Sequence, residues 1–576
     1  MPNYTSEKNV LILLSLLKQY HIRKIVASPG TTNITFIASA QSDPFFEIYS
    51  SVDERSAAYI ACGLSAESGE AVVLSCTGAT ASRNYMPGLT EAFYKKLPIL
   101  AVTSTQSTKR VGQLVAQIID RSSVPNDVVK GSFLIPVVKD KSDDDFCLLK
   151  VNEALQCLFN AGGGPVHINL ETSYSKNFEI NELPNIQRIT SIGPFDKFPS
   201  LPNGKIGIFI GSHKRWNKAE LQLIDKFCTL FDAVVICDHT SGYFGDFRIL
   251  SALIATQENA NKDLFKFDLL IHLGEISGDY DSLSRVKAHE VWRVNSDGIL
   301  RNTFGKLSYI FSMPEVEFFE KYTLNKNIEE KGYYAIKKFN DEKNEILTHI
   351  PELPFSNIWI AQQLHDKLPQ NCNLYLGILN TLRSWNFFEV DPSINTYANV
   401  GGFGIDGMMS SMLGTSLANP NKINIGIVGD LGFFYDMNVL GNRHVGKNFK
   451  ILLINNGLGT EFKNYNHFAA RFGEAADKFI AAYGHFGNQS RDLVKHYAQD
   501  LGFIYWGVNN KKEFLASIEK FISTELQAPA IMEVFTNSTD ESNSFQMIKK
   551  IKGEKTHGFY RKWKPCVKKL LRLKLR

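Results

Sequence analysis

The sequence is poor in the features that mark membrane-spanning, disulfide-stapled or zinc-binding proteins. Only 8 of its 576 residues are cysteine, and no two stand at the C-x-x-C spacing of zinc sites and redox motifs. No apolar run reaches the roughly 18 residues that would indicate a transmembrane helix. None of the 13 histidines is adjacent to another. The sequence therefore predicts a globular intracellular protein, and we expect it in the cytoplasm.

The chain is long enough for three or four domains. Apolar strand-like segments alternate with helix-like segments in three regions of similar size, a pattern typical of α/β domains. We therefore predict three doubly wound domains with mainly parallel sheets. The predicted boundaries are 1–185, 195–320 and 350–545, followed by a basic tail at 546–576.

Charge is unevenly distributed along the chain. The formal net charge is +4, yet residues 549–576 contain twelve Lys or Arg against one acidic residue, Glu554. Aromatic and leucine side chains lie among these basic residues, which is typical of segments that bind anionic membrane surfaces. A solvated terminus is the simpler interpretation, and nucleic-acid binding is disfavoured. The N-terminal apolar stretch follows Glu7 and predicts an amphipathic helix, not a signal peptide.

The most informative segment begins at Gly429 and Asp430. Asp430 follows an apolar strand-like run, and Asn456 follows the next one, at 449–454. The carboxyl ends of parallel strands emerge at the same edge of a sheet, so we expect these side chains to meet there. Their oxygens suit Mg²⁺, which keeps phosphate oxygens in its octahedron. The helix expected between the strands, at 435–440, offers a positive dipole end to a diphosphate.

A different interpretation of a nearby segment is weaker. Residues 402–407 fit G-x-G-x-x-G, and an acidic residue follows about 20 positions later, as in dinucleotide-binding folds. That acidic residue is Asp430, which the metal motif already uses, and such fingerprints usually stand early in their domain. We therefore disfavour a dinucleotide site.

Together these motifs resemble those of thiamine-diphosphate (ThDP) enzymes. In that superfamily GD is followed after 24 to 27 residues by NN, as Gly429, Asp430 and Asn456 are here. A Glu also follows an N-terminal strand, as Glu54 does. The resemblance implies that Asp430, Asn456 and the Leu458 carbonyl bind Mg²⁺. It also implies that Glu54 hydrogen-bonds N1′ of the aminopyrimidine and promotes deprotonation of the thiazolium.

The same resemblance implies roles for further residues. Asn84 lies in a Gly-rich loop-and-helix segment and would stand beside the cofactor, as would Gly30 and Leu431. Ile405 stands where the superfamily has the bulky residue that keeps the cofactor bent. Candidates near the substrate are Thr31, Gln117, Arg383, Glu461 and Phe462. Superfamily sites form between two subunits, which implies a homodimer or a dimer of dimers.

Within the superfamily the sequence is most similar to the SEPHCHC synthases of menaquinone biosynthesis, which join 2-oxoglutarate to isochorismate. The similarity rests on Ser28-Pro29-Gly30, Val52 to Arg55, and the motifs at 404–407 and 429–438. Cationic positions of that family differ here: Thr32, Gln106 and Val400 each replace an Arg, and Asp279-Tyr280-Asp281 stands near a Lys-Arg pair. A charged hydrogen bond contributes about 1.5–3 kcal/mol, so these changes predict a smaller or less charged acceptor.

We therefore predict a ThDP- and Mg²⁺-dependent enzyme that decarboxylates a 2-oxo acid and passes the acyl unit to an acceptor or releases an aldehyde. Arg383 is the predicted contact for a substrate carboxylate, and Glu461 a candidate proton relay. Pyruvate decarboxylases use an adjacent histidine pair, which is absent here. Three alternatives stay open: a genuine SEPHCHC synthase, a non-catalytic scaffold, and a membrane-recruited enzyme of surface-polysaccharide or lipid biosynthesis.

Overall fold

The structure is a computed structural model that describes residues 1–324, 326, 332–484 and 490–553. Contacts divide the chain into two compact units. The first contains residues 1–193 and 298–310, and the second contains residues 194–297 and the described residues from 311 onwards.

The first unit contains a six-stranded parallel sheet in the order β2-β1-β3-β4-β6-β5. Helices α1 and α6 contribute to a core cluster on one face, and α3 and α5 contribute to a second cluster on the other. Both faces are covered, so its inner strands β3, β4 and β6 are almost wholly buried. The elements are α1 Lys8–Gln19, β1 Lys24–Ala27, α2 Ile34–Gln41, β2 Glu47–Ser50, α3 Glu54–Ser68, β3 Val72–Thr77, α4 Thr80–Asn84, α5 Met86–Tyr94, β4 Ile99–Thr105, β5 Ser132–Ile135, α6 Lys141–Phe159, β6 Val166–Glu171 and β7 Thr190–Ile192.

The second unit begins with parallel strands in the order β10-β9-β8-β11-β12. Contacts assign all of β13 except its last residue to the first unit. The elements of this region are β8 Ile206–Ile210, α7 Lys218–Phe231, β9 Val234–Cys237, β10 Arg248–Leu250, α8 Ala252–Ala255, β11 Lys266–Leu273, α9 Tyr280–Arg285, β12 Lys287–Val294, β13 Leu307–Phe311, α10 Glu315–Thr323 and α11 Tyr334–Thr348.

The second unit continues with a six-stranded parallel sheet in the order β15-β14-β16-β17-β19-β18. Strands β16 and β17 lie at its centre and are almost wholly buried. The elements are α12 Asn357–Leu364, β14 Asn373–Leu376, α13 Asn380–Trp385, β15 Asn395–Tyr397, α14 Met408–Ala418, β16 Asn424–Gly429, α15 Asp430–Asp436, β17 Phe449–Asn455, α16 Leu493–Asp500, β18 Ile504–Val508, α17 Lys511–Ile522, β19 Ala530–Phe535 and α18 Ser538–Lys549.

The predicted fold class is confirmed, because all three sheets are mainly parallel and helices alternate with their strands. The helix expected at 435–440 was misplaced: α15 begins at Asp430 itself, and a 3₁₀ turn follows it at Met437–Gly441. The domain boundaries stay a prediction. In the described part of the chain, no helix combines the length and apolar character needed to cross a bilayer.

Candidate active site

The predicted magnesium ligands lie at the carboxyl ends of two neighbouring strands. Parallel pairing sets Gly429, the last residue of β16, opposite Ile454 of β17. Asp430 and Asn456 therefore leave the sheet side by side. The Gly457 backbone N–H donates to Asp430 Oδ2 at 2.7 Å, and the Leu431 N–H donates to Oδ1 at 2.8 Å. The structure thus joins the two halves of the motif directly.

This arrangement passes a simple test of fit for a hard cation. Asp430 is only 3% exposed, and its carboxylate accepts two backbone N–H groups. Asn456 adds an amide oxygen, and the Leu458 carbonyl accepts only a long 3.5 Å bond from Thr460. A carboxylate, an amide and a backbone carbonyl are the ligand types that Mg²⁺ accepts. No three His, Cys, Asp or Glu residues cluster as metal ligands within the described ranges, but the predicted set contains only one such residue.

Space for a bound group exists beside these ligands. An added Cβ at Gly429 or Gly457 would meet nothing within 4 Å. Gly457 has φ +81°, a conformation that favours glycine. Leu431 follows on the first turn of α15 and is half-buried. Ile405 is half-buried as well, and its carbonyl lies against Gly432 in the same helix.

Residues 402–407, which fit the dinucleotide fingerprint, form a loop and not a strand-to-helix turn. The preceding strand, β15, ends five residues earlier at Tyr397. Gly407 has φ +73° and is the N-cap of α14. Asp430, the acidic residue of that interpretation, is engaged by the Gly457 loop. The local structure argues against a dinucleotide site.

In the first unit, two of the predicted cofactor residues contact each other. Glu54 is the first residue of α3, whose N-cap is Asp53. Asn84, the last residue of α4, donates from Nδ2 to Glu54 Oε2 at 3.2 Å. Because Asp53 already caps the helix through the Arg55 and Ser56 N–H groups, the Glu54 carboxylate is not needed as a cap.

The Gly30 loop approaches β3 closely. A Cβ at Gly30 would overlap the Thr77 side chain, so glycine is required here for packing. Thr32 is buried and donates to the Ser104 carbonyl at 2.7 Å, whereas Thr31 is exposed. Gln117 is exposed too, with a positive φ of 65°. No contact joins Thr31 or Gln117 to Glu54 among the hydrogen bonds described.

The predicted substrate residues Arg383 and Glu461 bind each other. Arg383 Nη1 and Nη2 each donate to one Glu461 oxygen at 2.9 Å, and Nη1 also donates to Asn380. This bidentate ion pair occupies both terminal nitrogens of the guanidinium, which are the groups that would bind a substrate carboxylate. Phe462 lies next to Glu461 and packs edge-on against His467.

Several residues of interest carried no sequence motif. Arg121 is 5% exposed and donates to Asn169, but its Nε and Nη1 have no partner among the described residues. Burial lowers its pKa to about 10. Arg110 donates to Gln106 at 2.9 Å and so places a guanidinium beside a position where the family has an Arg. Both lie in the loop-rich stretch after β4, where hydrophobic periodicity gives no signal.

Comparison with known proteins gives the same family. Residues 10–124 match the N-terminal TPP-binding domain of thiamine pyrophosphate enzymes. The chain is also 28% identical over 567 residues to a protein of Bacteroides thetaiotaomicron named 2-succinyl-5-enolpyruvyl-6-hydroxy-3-cyclohexene-1-carboxylate synthase, covering 94% of this chain and 98% of the relative. This chain is thus similar to thiamine-diphosphate enzymes in its N-terminal region and to these synthases over nearly its whole length.

Other relatives of this chain bear the same name. One from Phocaeicola vulgatus is 29% identical over 559 residues, covering 94% of this chain and 97% of the relative. One from Flavobacterium psychrophilum is 28% identical over 557 residues, covering 90% and 96%. The comparisons therefore support the predicted cofactors, ThDP and a divalent metal.

Proposed function

We propose that this protein uses ThDP and Mg²⁺ to decarboxylate a 2-oxo acid and to transfer the acyl unit to an acceptor, or to release an aldehyde. The observation that carries the proposal is the bond from the Gly457 N–H to Asp430. That bond links the Asp430 carboxylate to the turn that carries Asn456 and Leu458. Bound ThDP supplies the electron sink that stabilises the carbanion left when CO2 departs.

The chain's own residues have separable tasks in this proposal. Asp430, Asn456 and Leu458 hold the metal, and the open space at Gly429 and Gly457 admits the diphosphate. Glu54 holds a proton at N1′ of the aminopyrimidine and is therefore the proposed catalytic residue. Asn84 positions the Glu54 carboxyl through its hydrogen bond.

We further propose a homodimer, or a dimer of dimers, with active sites shared between subunits. The surface around Glu54 supports this proposal. Val52, Tyr59 and Ile60 are 78%, 48% and 43% exposed, although all three are apolar and lie within six residues of Glu54. Exposed apolar patches of this kind mark interaction surfaces, and a second subunit would also shield the carboxyl from water.

The alternative activity is the one that names the relatives, synthesis of 2-succinyl-5-enolpyruvyl-6-hydroxy-3-cyclohexene-1-carboxylate. In favour of this alternative, sequence similarity extends over nearly the whole chain. Against it stand the Arg383–Glu461 ion pair and the acidic residues at 279 and 281. Isochorismate is a dianion, and Arg383, the predicted carboxylate contact, is already paired with Glu461.

The test is CO2 release from a panel of 2-oxo acids, including pyruvate and 2-oxoglutarate, with and without candidate acceptors. We expect at least one donor to release CO2 only when both ThDP and Mg²⁺ are present. Glu54→Gln should lower that rate by about 100-fold or more, because a glutamine amide cannot give a proton to N1′ or take one from it. Glutamine has nearly the same shape as glutamate, so its side-chain oxygen can still accept the hydrogen bond from Asn84.

Binding of the cofactor gives a second readout. ThDP with Mg²⁺ should raise the unfolding temperature of wild type and of Glu54→Gln, but not of Asp430→Asn. Unchanged CO2 release by Glu54→Gln would refute the proposed mechanism. Absence of any ThDP-dependent stabilisation of the wild type would instead favour the non-catalytic scaffold.

A further inference from the structure

A cavity of about 210 Å³ lies in the second unit and is lined in part by the segment that follows the predicted metal loop in the chain. Its lining includes Asp279, Asp281 and Glu461 together with Arg383 and Lys549. Leu379 also lines it, from the turn between β14 and α13, and has φ +65°. Strained backbone of this kind is concentrated at functional sites. Glu461, which lines the cavity, follows Asn456 of the metal motif by five residues in the chain.

Asp279 has the most unusual environment of the lining residues. Its side chain is only 5% exposed. Oδ1 accepts the Ser282 N–H at 3.0 Å and so caps helix α9. Oδ2 has no hydrogen-bond partner among the described residues. A buried carboxylate oxygen without a partner is costly, and this one belongs to a residue that lines a cavity.

The loop that carries Asp279 is rigidly fixed. Asp238 Oδ2 accepts the Ser277 hydroxyl at 2.7 Å and the Gly278 N–H at 3.0 Å. The other Asp238 oxygen accepts the Thr240 N–H and hydroxyl. Asp238 thus fixes this loop by accepting four hydrogen bonds, and as a carboxylate it supplies no donor to Asp279. Gly278 packs so closely on Leu382 that a Cβ would overlap it, which leaves the Asp279 side chain little freedom to move away.

Asp279 forms no ion pair among the described residues. Arg383 is bound through both nitrogens to Glu461. Burial acts against its charge, but the Glu461 hydrogen bonds, and then the charges of Glu461, Asp281 and Asp279, raise the pKa of Arg383. Lys549 lies over the Phe545 ring, with its Nζ 5.4 Å from the ring centroid, and is not among the ion pairs described. Neither Asp279 nor Asp281 forms an ion pair with Lys549 or Arg383 among the described residues. Burial first, and then the neighbouring Asp281 and Asp238, raise the pKa of Asp279 to about 7.

We propose that this cavity binds a protonated amino group of the acceptor substrate, with Asp279 as its direct hydrogen-bond acceptor and Asp281 as a second carboxylate. The proposal deepens the proposed function, because it assigns a substrate class to the same active site. An ammonium group would give Asp279 Oδ2 its missing donor and would offset the cost of burying the charge. Glu461 serves as a positioning residue, since it withholds Arg383 from anionic ligands.

The competing interpretation is that Asp279 is only a helix cap. Asparagine caps helices about as well as aspartate, so Asp279→Asn keeps the cap and removes the charge. Asp140→Asn is the matched control, because Asp140 caps α6 in the same way through the Asp143 N–H. Asp281→Asn provides a second test on a less buried carboxylate, in case Asp279→Asn folds poorly.

The probes are three small molecules of similar size and different charge: ethanolamine, ethylene glycol and glycolate. Their binding to the full chain with ThDP and Mg²⁺ is measured by saturation-transfer NMR. We expect ethanolamine to bind more tightly than the other two. Asp279→Asn should weaken its binding about tenfold or more, as the loss of one charged hydrogen bond predicts, while Asp140→Asn should leave it unchanged.

A further variant tests the role given to the ion pair. Glu461→Gln should release Arg383 and strengthen glycolate binding by about tenfold. Equal or tighter binding of glycolate to the wild type would overturn the proposal, as would unaltered ethanolamine binding in both aspartate variants or binding of none of the probes. NMR binding requires no turnover, so loss of CO2 release with intact ethanolamine selectivity would count against the proposed function and not against this inference.

Discussion

Buried acids are the most distinctive single residues in the second unit. Glu541 is 7% exposed and accepts the Asn357 N–H with both of its oxygens, each at 3.1 Å. It also accepts the Thr536 hydroxyl. Burial raises the pKa of Glu541 to about 7, from an ordinary value of 4.5. The fold therefore favours the protonated form of this side chain.

That shift makes stability depend on pH. Between pH 4.5 and about 7 the unfolded chain ionises Glu541 more readily than the folded chain does, so its contribution is favourable below that window and is lost as pH rises through it. We expect Glu541→Gln to reduce the fall in unfolding free energy between pH 5 and pH 8. Each pKa unit corresponds to about 1.4 kcal/mol, so the difference should be a few kcal/mol. Urea unfolding at the two pH values measures it.

The control for this prediction is Glu525→Gln. Glu525 is exposed, and its replacement should leave the pH dependence of unfolding as in the wild type. A Glu541→Gln variant whose stability falls with pH as steeply as the wild type would show that Glu541 is ionised in the fold.

At the scale of elements, the sequence predicts the central strands best. Long apolar runs such as β4 and β17 are unambiguous, because burial on both faces leaves no alternation to misread. Short edge strands such as β10 and β15 give too few residues for a periodic signal. The start of α15 was missed because Gly429 and Gly432 flank it, and glycine is a poor helix former.

The candidate site likewise contains contacts that the sequence predicts and contacts that it does not. Asp430 and Asn456 could be predicted to meet, because each follows a strand and parallel strands end at one edge. The Arg383–Glu461 ion pair could not, since its partners are 78 residues apart and no local pattern links them. The orphaned Asp279 oxygen was equally hidden, because it depends on how a loop fixed by Asp238 lies against helix α13.

The close approach of the Gly30 loop to strand β3 can be tested by substitution. Gly30→Ala would drive a methyl group into the Thr77 side chain, and overpacking of this kind costs about 1–3 kcal/mol. Thr77→Ser removes the clashing methyl, so the double variant should recover part of the loss. Urea unfolding without cofactor provides the measurement.

Gly414→Ala is the matched control for this packing argument. Gly414 lies within α14, and an added Cβ there would meet nothing within 4 Å. Alanine is the better helix former by about 0.5–1 kcal/mol, so this variant should be at least as stable as the wild type. A harmless Gly30→Ala would show that the Gly30 loop can move away from β3.

At the scale of the whole molecule, the proposal that active sites are shared between subunits predicts how mixed subunits behave. Glu54→Gln and Asp430→Asn should each be inactive as pure proteins. After unfolding and refolding together, a heterodimer would contain one site with both substitutions and one with neither. Half of randomly paired dimers are heterodimers, so about a quarter of wild-type activity should return. No recovery, with mixed dimers shown by mass spectrometry, would mean that each site lies within one subunit.

The basic tail is a separate question. Its residues 554–576 lie outside the described residues. Those just before them belong to the fold: Gln257 donates to the Ile548 carbonyl, and Lys552 pairs with Glu342 and Glu345. A truncation should therefore end at residue 553, which keeps these contacts.

We propose that the basic tail recruits the enzyme to anionic membranes. The truncated chain should no longer sediment with vesicles containing about 30% phosphatidylserine at low salt, where the attraction is strongest. Its CO2 release should match that of the full chain. Equal sedimentation of the two proteins would remove membrane recruitment by this tail.

The tight packing at Gly278 has a consequence for how such enzymes diverge. Because Leu382 fills the space where a side chain would lie, this loop tolerates neither a larger residue at its centre nor an easy change of path. On this side of the cavity, changes in substrate preference are then confined to positions 279 and 281, which follow Gly278 in the chain. A change of charge at 279 or 281 would then alter which ligand charge this wall favours without changing the path of the loop.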